Sequence, residues 1–127
     1  MSAVVELPSV EEEGLSLAPV QGKPGHFRFA GTGEAEGAAV LDRFLGQLHG
    51  HMLAQSLGEV IVELHELEFI NSSCLKAMVA WIFKVDHEGR PYKIRLVRDA
   101  ALHWQRTSIA TLQRLAPEVV VIQERRT

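Results

Sequence analysis

The chain has 127 residues, 46% of them hydrophobic and 23% charged, with a net charge of -3, which is the composition of one globular domain with its own core. This acidic balance argues against nucleic acid as a partner, because duplex binding draws most of its affinity from phosphate neutralisation. The chain opens without a basic, apolar signal sequence, and no apolar run reaches the ~18 residues of a membrane span, so we expect a cytoplasmic protein outside the membrane.

The N-terminal part of the chain predicts a leader followed by a β-hairpin. Residues 1–13 include three successive glutamates and are predicted to form a flexible leader, or a short extra strand near residues 4–7. Apolar and polar side chains alternate over residues 14–20 and again over residues 26–30, which is typical of strands. A turn signal, Gly-Lys-Pro-Gly at residues 22–25, joins the two strands into an antiparallel hairpin.

The rest of the chain predicts helices and strands in alternation. A glycine-rich flexible connector is predicted at residues 31–37, because the segment lacks the Gly-Lys-Ser/Thr end of a phosphate-binding P-loop. Helical spacing of apolar residues predicts three helices, at residues 36–55, 72–87 and 99–115. Three further strands are predicted at residues 59–64, 92–97 and 118–123. The order predicts a single α/β domain over residues 14–127, with a mixed, mostly parallel central sheet flanked by helices.

The sequence allows more specific predictions for two of these helices. The buried stripe of the second helix is predicted from helical spacing as Leu75, Met78, Val79, Ile82 and Phe83. The third helix is predicted to begin with Asp99 as its N-cap.

A short polar segment, Asn71-Ser72-Ser73-Cys74, lies between an apolar strand and the second helix. An asparagine or serine here satisfies a free backbone N–H group of the helix, so a plain N-cap explains these residue types. The same helix end favours negative charge. A phosphate on serine would add about -1.5 to -2 charges and leave the helix intact. The residues alone leave the plain cap and the phosphoswitch open.

Residues 60–82, VIVELHELEFINSSCLKAMVAWI, resemble the signature of the STAS family, the sulphate-transporter and anti-sigma-factor-antagonist domains. Asn71-Ser72-Ser73-Cys74-Leu75 stands where that family has Asp-Ser-Ser-Gly-Leu at the start of a helix. The order of predicted elements matches the family from about residue 14 to residue 123. The resemblance implies a STAS-like fold and a non-enzymatic module of signal transduction and transcription regulation, with no cofactor and no catalytic residue.

The resemblance also implies a partner and a site. In anti-sigma-factor antagonists, the first serine of the motif is phosphorylated by a kinase that is itself the anti-sigma factor. For this chain the resemblance implies a cytoplasmic serine kinase or anti-sigma-factor-like partner, with Ser72 as the candidate phosphoacceptor. The implied partner-binding surface is formed by Asn71, Ser72, Ser73, Cys74 and Lys76. Two positions depart from the family: Asn71 removes a negative charge, and Cys74 puts a side chain where a partner would approach.

Two alternatives stay open. The first is an unmodified scaffold or homo-oligomerising domain of the same fold. The second is a thiol-based sensor or enzyme using Cys74, the single cysteine, since a place in the first helical turn lowers the pKa of a thiol. No metal site is predicted, because His49 and His51 point to different faces of their helix. Trp104 either forms an exposed patch with Arg106 or packs into the core.

Overall fold

The computed structural model describes residues 7–125 as a six-stranded sheet with three helices. The strands are β1 (Val10–Glu12), β2 (Leu15–Pro19), β3 (His26–Gly33), β4 (Glu59–Ile70), β5 (Lys93–Arg98) and β6 (Val120–Glu124). The helices are α1 (Gly37–Ala54), α2 (Ser72–His87) and α3 (His103–Leu115). Most of the short strand predicted near residues 4–7 lies outside the described residues. No helix within residues 7–125 is both long enough and apolar enough to cross a membrane.

The strands lie in the sheet in the same order as in the chain, from β1 to β6. The pairs β1–β2 and β2–β3 are antiparallel, and the pairs β3–β4, β4–β5 and β5–β6 are parallel. Each parallel connection contains one helix, and such crossovers are almost always right-handed, so all three helices cover the same face of the sheet. The predicted mixed, mostly parallel sheet with its antiparallel N-terminal hairpin is confirmed.

One face of the sheet carries the hydrophobic core. Apolar side chains on this face stand opposite one another across neighbouring strands, as in the pairs Leu17–Phe29, Phe27–Val62, Val60–Ile94 and Ile94–Val120. They join the buried sides of the three helices in a single cluster. The other face is polar and carries cross-strand ion pairs, Arg28 with Glu63 at 3.1 Å and Arg95 with Glu59 at 3.0 Å.

The boundaries of β3 and β4 differ from the sequence prediction. The strand predicted to end at residue 64 continues to Ile70, so that only Asn71 lies between it and α2. β3 likewise runs on to Gly33 and takes three residues from the predicted flexible connector. The two extensions pair with each other, and the register of this pairing shifts twice. Because each shift interrupts the alternation of buried and exposed residues, the sequence shows no regular period-two pattern there.

Part of the predicted leader belongs to the sheet. Val10–Glu12 forms the edge strand β1, which pairs with β2. Glu12 also forms an ion pair with Arg43 of α1 at 2.6 Å. The run of glutamates therefore lies along the exposed edge of the sheet, where charged side chains discourage pairing with another chain.

Helix α3 begins at His103, later than predicted, because Asp99 caps a turn and not the helix. Its side-chain Oδ1 accepts a hydrogen bond from the backbone N–H of Ala101 at 2.9 Å. Trp104, in the first turn of α3, is half-buried, and its Nε1 donates to the carbonyl of Leu67 at 3.2 Å. Of the two alternatives for Trp104, the structure therefore favours packing at the border of the core.

Helix α2 has the predicted bounds, but the residues that it buries are only partly those of the predicted stripe. Its buried residues are Cys74, Ala77, Met78, Trp81, Ile82 and Val85. Leu75 and Val79 are only half-buried, and Phe83 is 38% exposed. The reason is that α2 packs against α1 as well as the sheet, which buries the side carrying Ala77 and Trp81 and leaves the opposite side open.

Candidate functional site

The polar segment predicted as the site lies where β4 ends and α2 begins. Asn71 is the N-cap of α2: its backbone is extended (φ -81°, ψ 178°) and its Oδ1 accepts a hydrogen bond from the N–H of Cys74 at 3.0 Å. The N–H of Asn71 donates to the carbonyl of Gly33 at 2.8 Å, which ties the cap to the end of β3. The cap is therefore supplied by Asn71, and Ser72 is the first residue inside the helix.

The side chains of Ser72 and Ser73 are exposed in the first turn of α2. That turn carries no acidic residue, so the positive end of the helix dipole is not neutralised locally. Lys76 is also exposed and follows Ser72 at the i+4 position, on the same side of the helix. Free backbone N–H groups, the dipole and this ammonium group together favour an anion at Ser72.

Two expectations for Cys74 are wrong, because the side chain of this residue is fully buried. Burial raises the pKa of the thiol, and the hydrogen bond with Asn71 offsets only part of this effect. The Sγ atom donates to the carbonyl of Glu34 at 3.4 Å. Cys74 therefore cannot touch a partner, and a buried thiol with a raised pKa does not suit the thiol-based sensor or enzyme.

Two glycines of the predicted connector make room for this thiol. A Cβ atom added to Gly33 would lie 2.9 Å from the sulfur of Cys74, and one added to Gly37 would lie 3.7 Å from it. The glycine-rich segment is therefore a close packing contact between β3, α1 and α2. This contact also explains how a cysteine is accommodated at the glycine position of the STAS motif without projecting to the surface.

We expect Cys74 to react slowly with a thiol reagent in the folded protein. With 5,5′-dithiobis(2-nitrobenzoate) at neutral pH, its labelling rate should be at least ~100-fold lower in buffer than in denaturing urea, because reaction requires local opening. The variant Ser73→Cys is the matched control, since it adds a thiol on an exposed position of the same turn and should give one fast equivalent. One fast equivalent from the wild-type protein would contradict the buried position of Cys74.

Phe69 is a surface residue at this site that the sequence analysis missed. Its side chain is 46% exposed, and it lies two positions before the cap residue Asn71. The exposure of Phe69 was not predictable from the sequence. The buried residues on either side of it, Leu67 and Ile70, are three positions apart, whereas a regular strand buries every second residue. A large exposed aromatic ring beside exposed serines is typical of a protein-binding surface.

The histidines form no metal centre in the part of the chain that the structure describes, where no three metal-ligating side chains come together. His49 is buried and hydrogen-bonded through Nδ1 to the hydroxyl of Tyr92 at 2.6 Å and through Nε2 to Glu88 at 2.8 Å. His51 packs its ring edge-on against Phe27 instead. The role of His49 is therefore structural.

Comparison with known proteins relates the chain to others through its fold. No family model matches the sequence, and no curated protein matches it. A chain in the crystal structure of the diguanylate cyclase SiaD in complex with its activator SiaC, from Pseudomonas aeruginosa, is 13% identical, with a TM-score of 0.68 over 93% of this chain and 99% of that chain. SiaC of Pseudomonas aeruginosa is 17% identical, with a TM-score of 0.54 over 97% of this chain and 96% of that chain.

The architecture defined by these elements is a STAS-like fold. The similarity to SiaC, which has a fold of this type, confirms the STAS-like fold that the resemblance of residues 60–82 implied. The segment Asn71-Ser72-Ser73-Cys74-Leu75, which resembles the serine motif of STAS domains, forms the Asn71-capped start of α2.

Proposed function

We propose that this chain is a non-enzymatic regulatory module that binds a signalling protein through the N-terminal end of α2, with Ser72 as the phosphoacceptor. The observation that carries the proposal is the exposure of Ser72 on a helix that another residue caps. Because Asn71 makes the cap bond to the N–H of Cys74, a phosphate on Ser72 leaves that bond in place. The modified residue is thus free to change the surface without loosening the helix.

The charge around Ser72 suits such a modification. A phosphate on Ser72 would lie over the free N–H groups of the first turn and within reach of Lys76 at the i+4 position. Each of these contacts stabilises negative charge at a helix N-terminus, by about 0.3–1 kcal/mol for the dipole. Phosphorylation would then leave the domain folded and convert a neutral or positive surface into a negative one, which a partner can distinguish.

The proposed contact surface consists of Asn71, Ser72, Ser73 and Lys76, with Phe69 added by the structure. Phe69 provides an exposed apolar group of the kind that contributes most to binding free energy, three positions before the residue whose charge would change. A phosphate at the border of an apolar contact disrupts it through desolvation and repulsion. The site therefore combines a binding group and a switch.

The fold comparison supports a regulatory role of this kind. SiaC is an activator of a diguanylate cyclase and was crystallised with that enzyme. By analogy, we propose that this chain also acts by binding and catalyses no reaction itself. Its partner would be a cytoplasmic serine kinase of the anti-sigma-factor type, which modifies Ser72. The regulated process would be transcription or the activity of a signalling enzyme.

The test is phosphorylation and binding with a serine kinase of the anti-sigma-factor type. Incubation with that kinase and Mg-ATP should place phosphate on Ser72, as mapped by mass spectrometry; Ser72→Ala should abolish it and Ser73→Ala should not. Ser72→Glu should weaken kinase binding by roughly 30-fold, the effect of losing about 2 kcal/mol at a central contact. Its folding should be unharmed, because an acidic residue in the first turn is stabilising.

The same experiment separates the proposal from its alternative. Tight kinase binding that is equal for wild type and Ser72→Glu, without phosphate on Ser72, would contradict the switch and favour the unmodified scaffold or oligomerising domain.

A further inference from the structure

The two edges of the sheet differ in character. β1 forms one edge and carries Glu11 and Glu12, charged residues that discourage pairing with another chain. β6 forms the other edge, and within residues 7–125 it pairs with β5 alone. Residues 119–123 hold no charged side chain, and four of the five are β-branched, as is typical of strands. An uncharged edge of this kind is a template for pairing, so natural proteins usually cover it.

Pairing with β5 uses the backbone groups of every second residue of β6. The N–H of Ile94 donates to the carbonyl of Val119 at 2.9 Å, and the N–H of Arg125 donates to the carbonyl of Arg98 at 2.7 Å. Residues 119 and 125 therefore direct their backbone groups towards β5. Because these groups alternate in direction along a strand, the other odd-numbered residues of β6 do the same.

The even-numbered residues of β6 direct their backbone groups away from the sheet. The N–H of Val120 is used within the preceding turn, where it donates to the carbonyl of Ala116 at 3.0 Å. The N–H and carbonyl groups of Ile122 and Glu124 have no hydrogen-bond partner within the part of the chain that the structure describes. β6 can therefore accept one more strand.

We infer that β6 pairs antiparallel with β6 of a second copy of this chain, in a register centred on Ile122. In this register Ile122 lies opposite Ile122 of the second copy, and Val120 lies opposite Glu124. The N–H and carbonyl groups of the two Ile122 residues bond each other, and the N–H of each Glu124 donates to the carbonyl of the opposite Val120. The two sheets then join into one continuous sheet, with the helices of both copies on the same face.

The side chains favour this register over its neighbours. Ile122 is half-buried against its own core, and contact with its copy would cover the rest of it, whereas Val120 is already buried. A register that places Ile122 opposite Val120 needs the N–H that bonds Ala116, and one that places Ile122 opposite Glu124 loses the apolar contact. Glu124 remains paired with Arg98 at 2.7 Å, so the centred register leaves its carboxylate neutralised.

A second copy fits this edge because the contact closes on itself. A two-fold contact between two β6 strands covers both uncharged edges at once. The edges that remain are the two β1 strands, whose glutamates oppose further growth of the sheet. Pairing of β6 with β1 of another copy would instead continue without limit and would set these glutamates against an apolar strand.

The dimer leaves the proposed Ser72 site open. Ser72 follows the carboxyl end of β4, which runs parallel to β5 and β6. Because the two β6 strands run in opposite directions, the two Ser72 turns lie at opposite ends of the joined sheet. One dimer therefore presents two sites that face away from each other. The inference does not depend on phosphorylation of Ser72.

Sedimentation velocity over a range of micromolar concentrations should show a reversible equilibrium between monomer and dimer. Val121→Lys adds a charge to each β6 strand close to the two-fold axis, and should weaken dimerisation by about tenfold or more, because like charges on neighbouring strands repel. Ser16→Lys is the matched control, since it adds the same charge to the same face on β2, near the other edge, and should leave the equilibrium unchanged.

Circular dichroism should show both lysine variants folded, because each changes a partly exposed position on the open face of the sheet. A wild-type protein that stays monomeric at every concentration would overturn the inference. Equal dimerisation of wild type and Val121→Lys would also overturn it.

Cross-linking between single-cysteine variants tests the register. The centred register places Val121 opposite Gln123 of the second copy, at a Cα distance of about 4.5 Å, which a disulfide can span. Oxidation of an equal mixture of Val121→Cys and Gln123→Cys should therefore give linked dimers, and oxidation of either variant alone should not. The native Cys74 is buried and does not take part. Linkage of either variant alone, or none in the mixture, would contradict the register.

Hydrogen exchange identifies what covers the edge. In the dimer the amides of Ile122 and Glu124 are hydrogen-bonded, so their exchange should slow as the protein concentration rises. Exchange that is independent of concentration but slows when another protein is added would show that a foreign strand, and not a second copy, occupies the edge.

Discussion

Replacing Tyr92 by phenylalanine should lower the free energy of unfolding by about 3 kcal/mol, because it leaves two buried polar groups without a partner. The Tyr92 hydroxyl accepts a hydrogen bond from Nε1 of Trp81 at 2.9 Å and lies 2.6 Å from Nδ1 of His49. All three side chains are almost fully buried, at 2%, 4% and 4% exposure. Urea denaturation followed by circular dichroism would measure the loss.

The hydrogen bonds form a directed chain through the core. Since the Tyr92 oxygen accepts from Trp81, we assign its own proton to the bond with Nδ1 of His49, so that Nε2 of His49 carries the proton donated to Glu88. Burial raises the pKa of Tyr92, and the charge of Glu88 raises it further, so the hydroxyl keeps its proton at neutral pH. These hydrogen bonds tie α1 and α2 to Tyr92, the residue directly before β5, and so fix the helix that carries Ser72.

A double-mutant cycle provides the control for this prediction. In Trp81→Phe/Tyr92→Phe the indole donor is removed together with its acceptor, so the combined loss should be about 1 kcal/mol smaller than the sum of the single losses. A loss below about 0.5 kcal/mol for Tyr92→Phe alone would show that water or another group satisfies His49 and Trp81.

Gly31→Ala should destabilise the fold by about 3–5 kcal/mol, because its backbone conformation and its surroundings both exclude a side chain. Gly31 has φ +95°, and an added Cβ atom would lie 2.1 Å from the carbonyl oxygen of Gly14, in the turn directly before β2. That same oxygen accepts a hydrogen bond from the N–H of Thr32 at 3.0 Å, so it cannot move away without breaking the β2–β3 pairing. Thermal unfolding and yield of soluble protein would report the effect.

Gly46→Ala is the matched control for the Gly31 substitution. Gly46 lies within α1, and a Cβ atom there would meet no atom within 4 Å. Alanine should therefore stabilise the protein by about 1 kcal/mol, through its higher helix propensity. Equal stability of Gly31→Ala and wild type would contradict the close approach of β2 and β3.

Local signals explain why some elements were predictable from the sequence. Helix α2 has its predicted bounds because Asn71 caps its start and Gly89, with φ +85°, follows its end. The start of α3 was predicted wrongly because Asp99 suits both a helix cap and a local turn, and only the neighbouring backbone decides between them. The last residues of β4 were missed because they depend on pairing with β3, which is remote in the chain.

Some features of the candidate site were likewise predictable from the sequence, and others were not. The exposure of Ser72, Ser73 and Lys76 is consistent with helical periodicity. The burial of Cys74 is not, because the space for its thiol is created by Gly33 and Gly37 on another part of the chain. The exposure of Phe83 was also unpredictable, since helical spacing alone cannot show that α2 leans on α1 and leaves its far side open.

The agreement between sheet order and chain order has a consequence for how this protein is made. Every strand after β2 joins the outer edge of the sheet already present, and none has to slip between two earlier strands. During synthesis the ribosome releases the strands in the order in which they lie in the sheet, so each newly released strand has its sheet neighbour already outside the ribosome. The two strands whose ends hold the turn bearing Ser72, β3 and β4, are therefore released before β5 and β6.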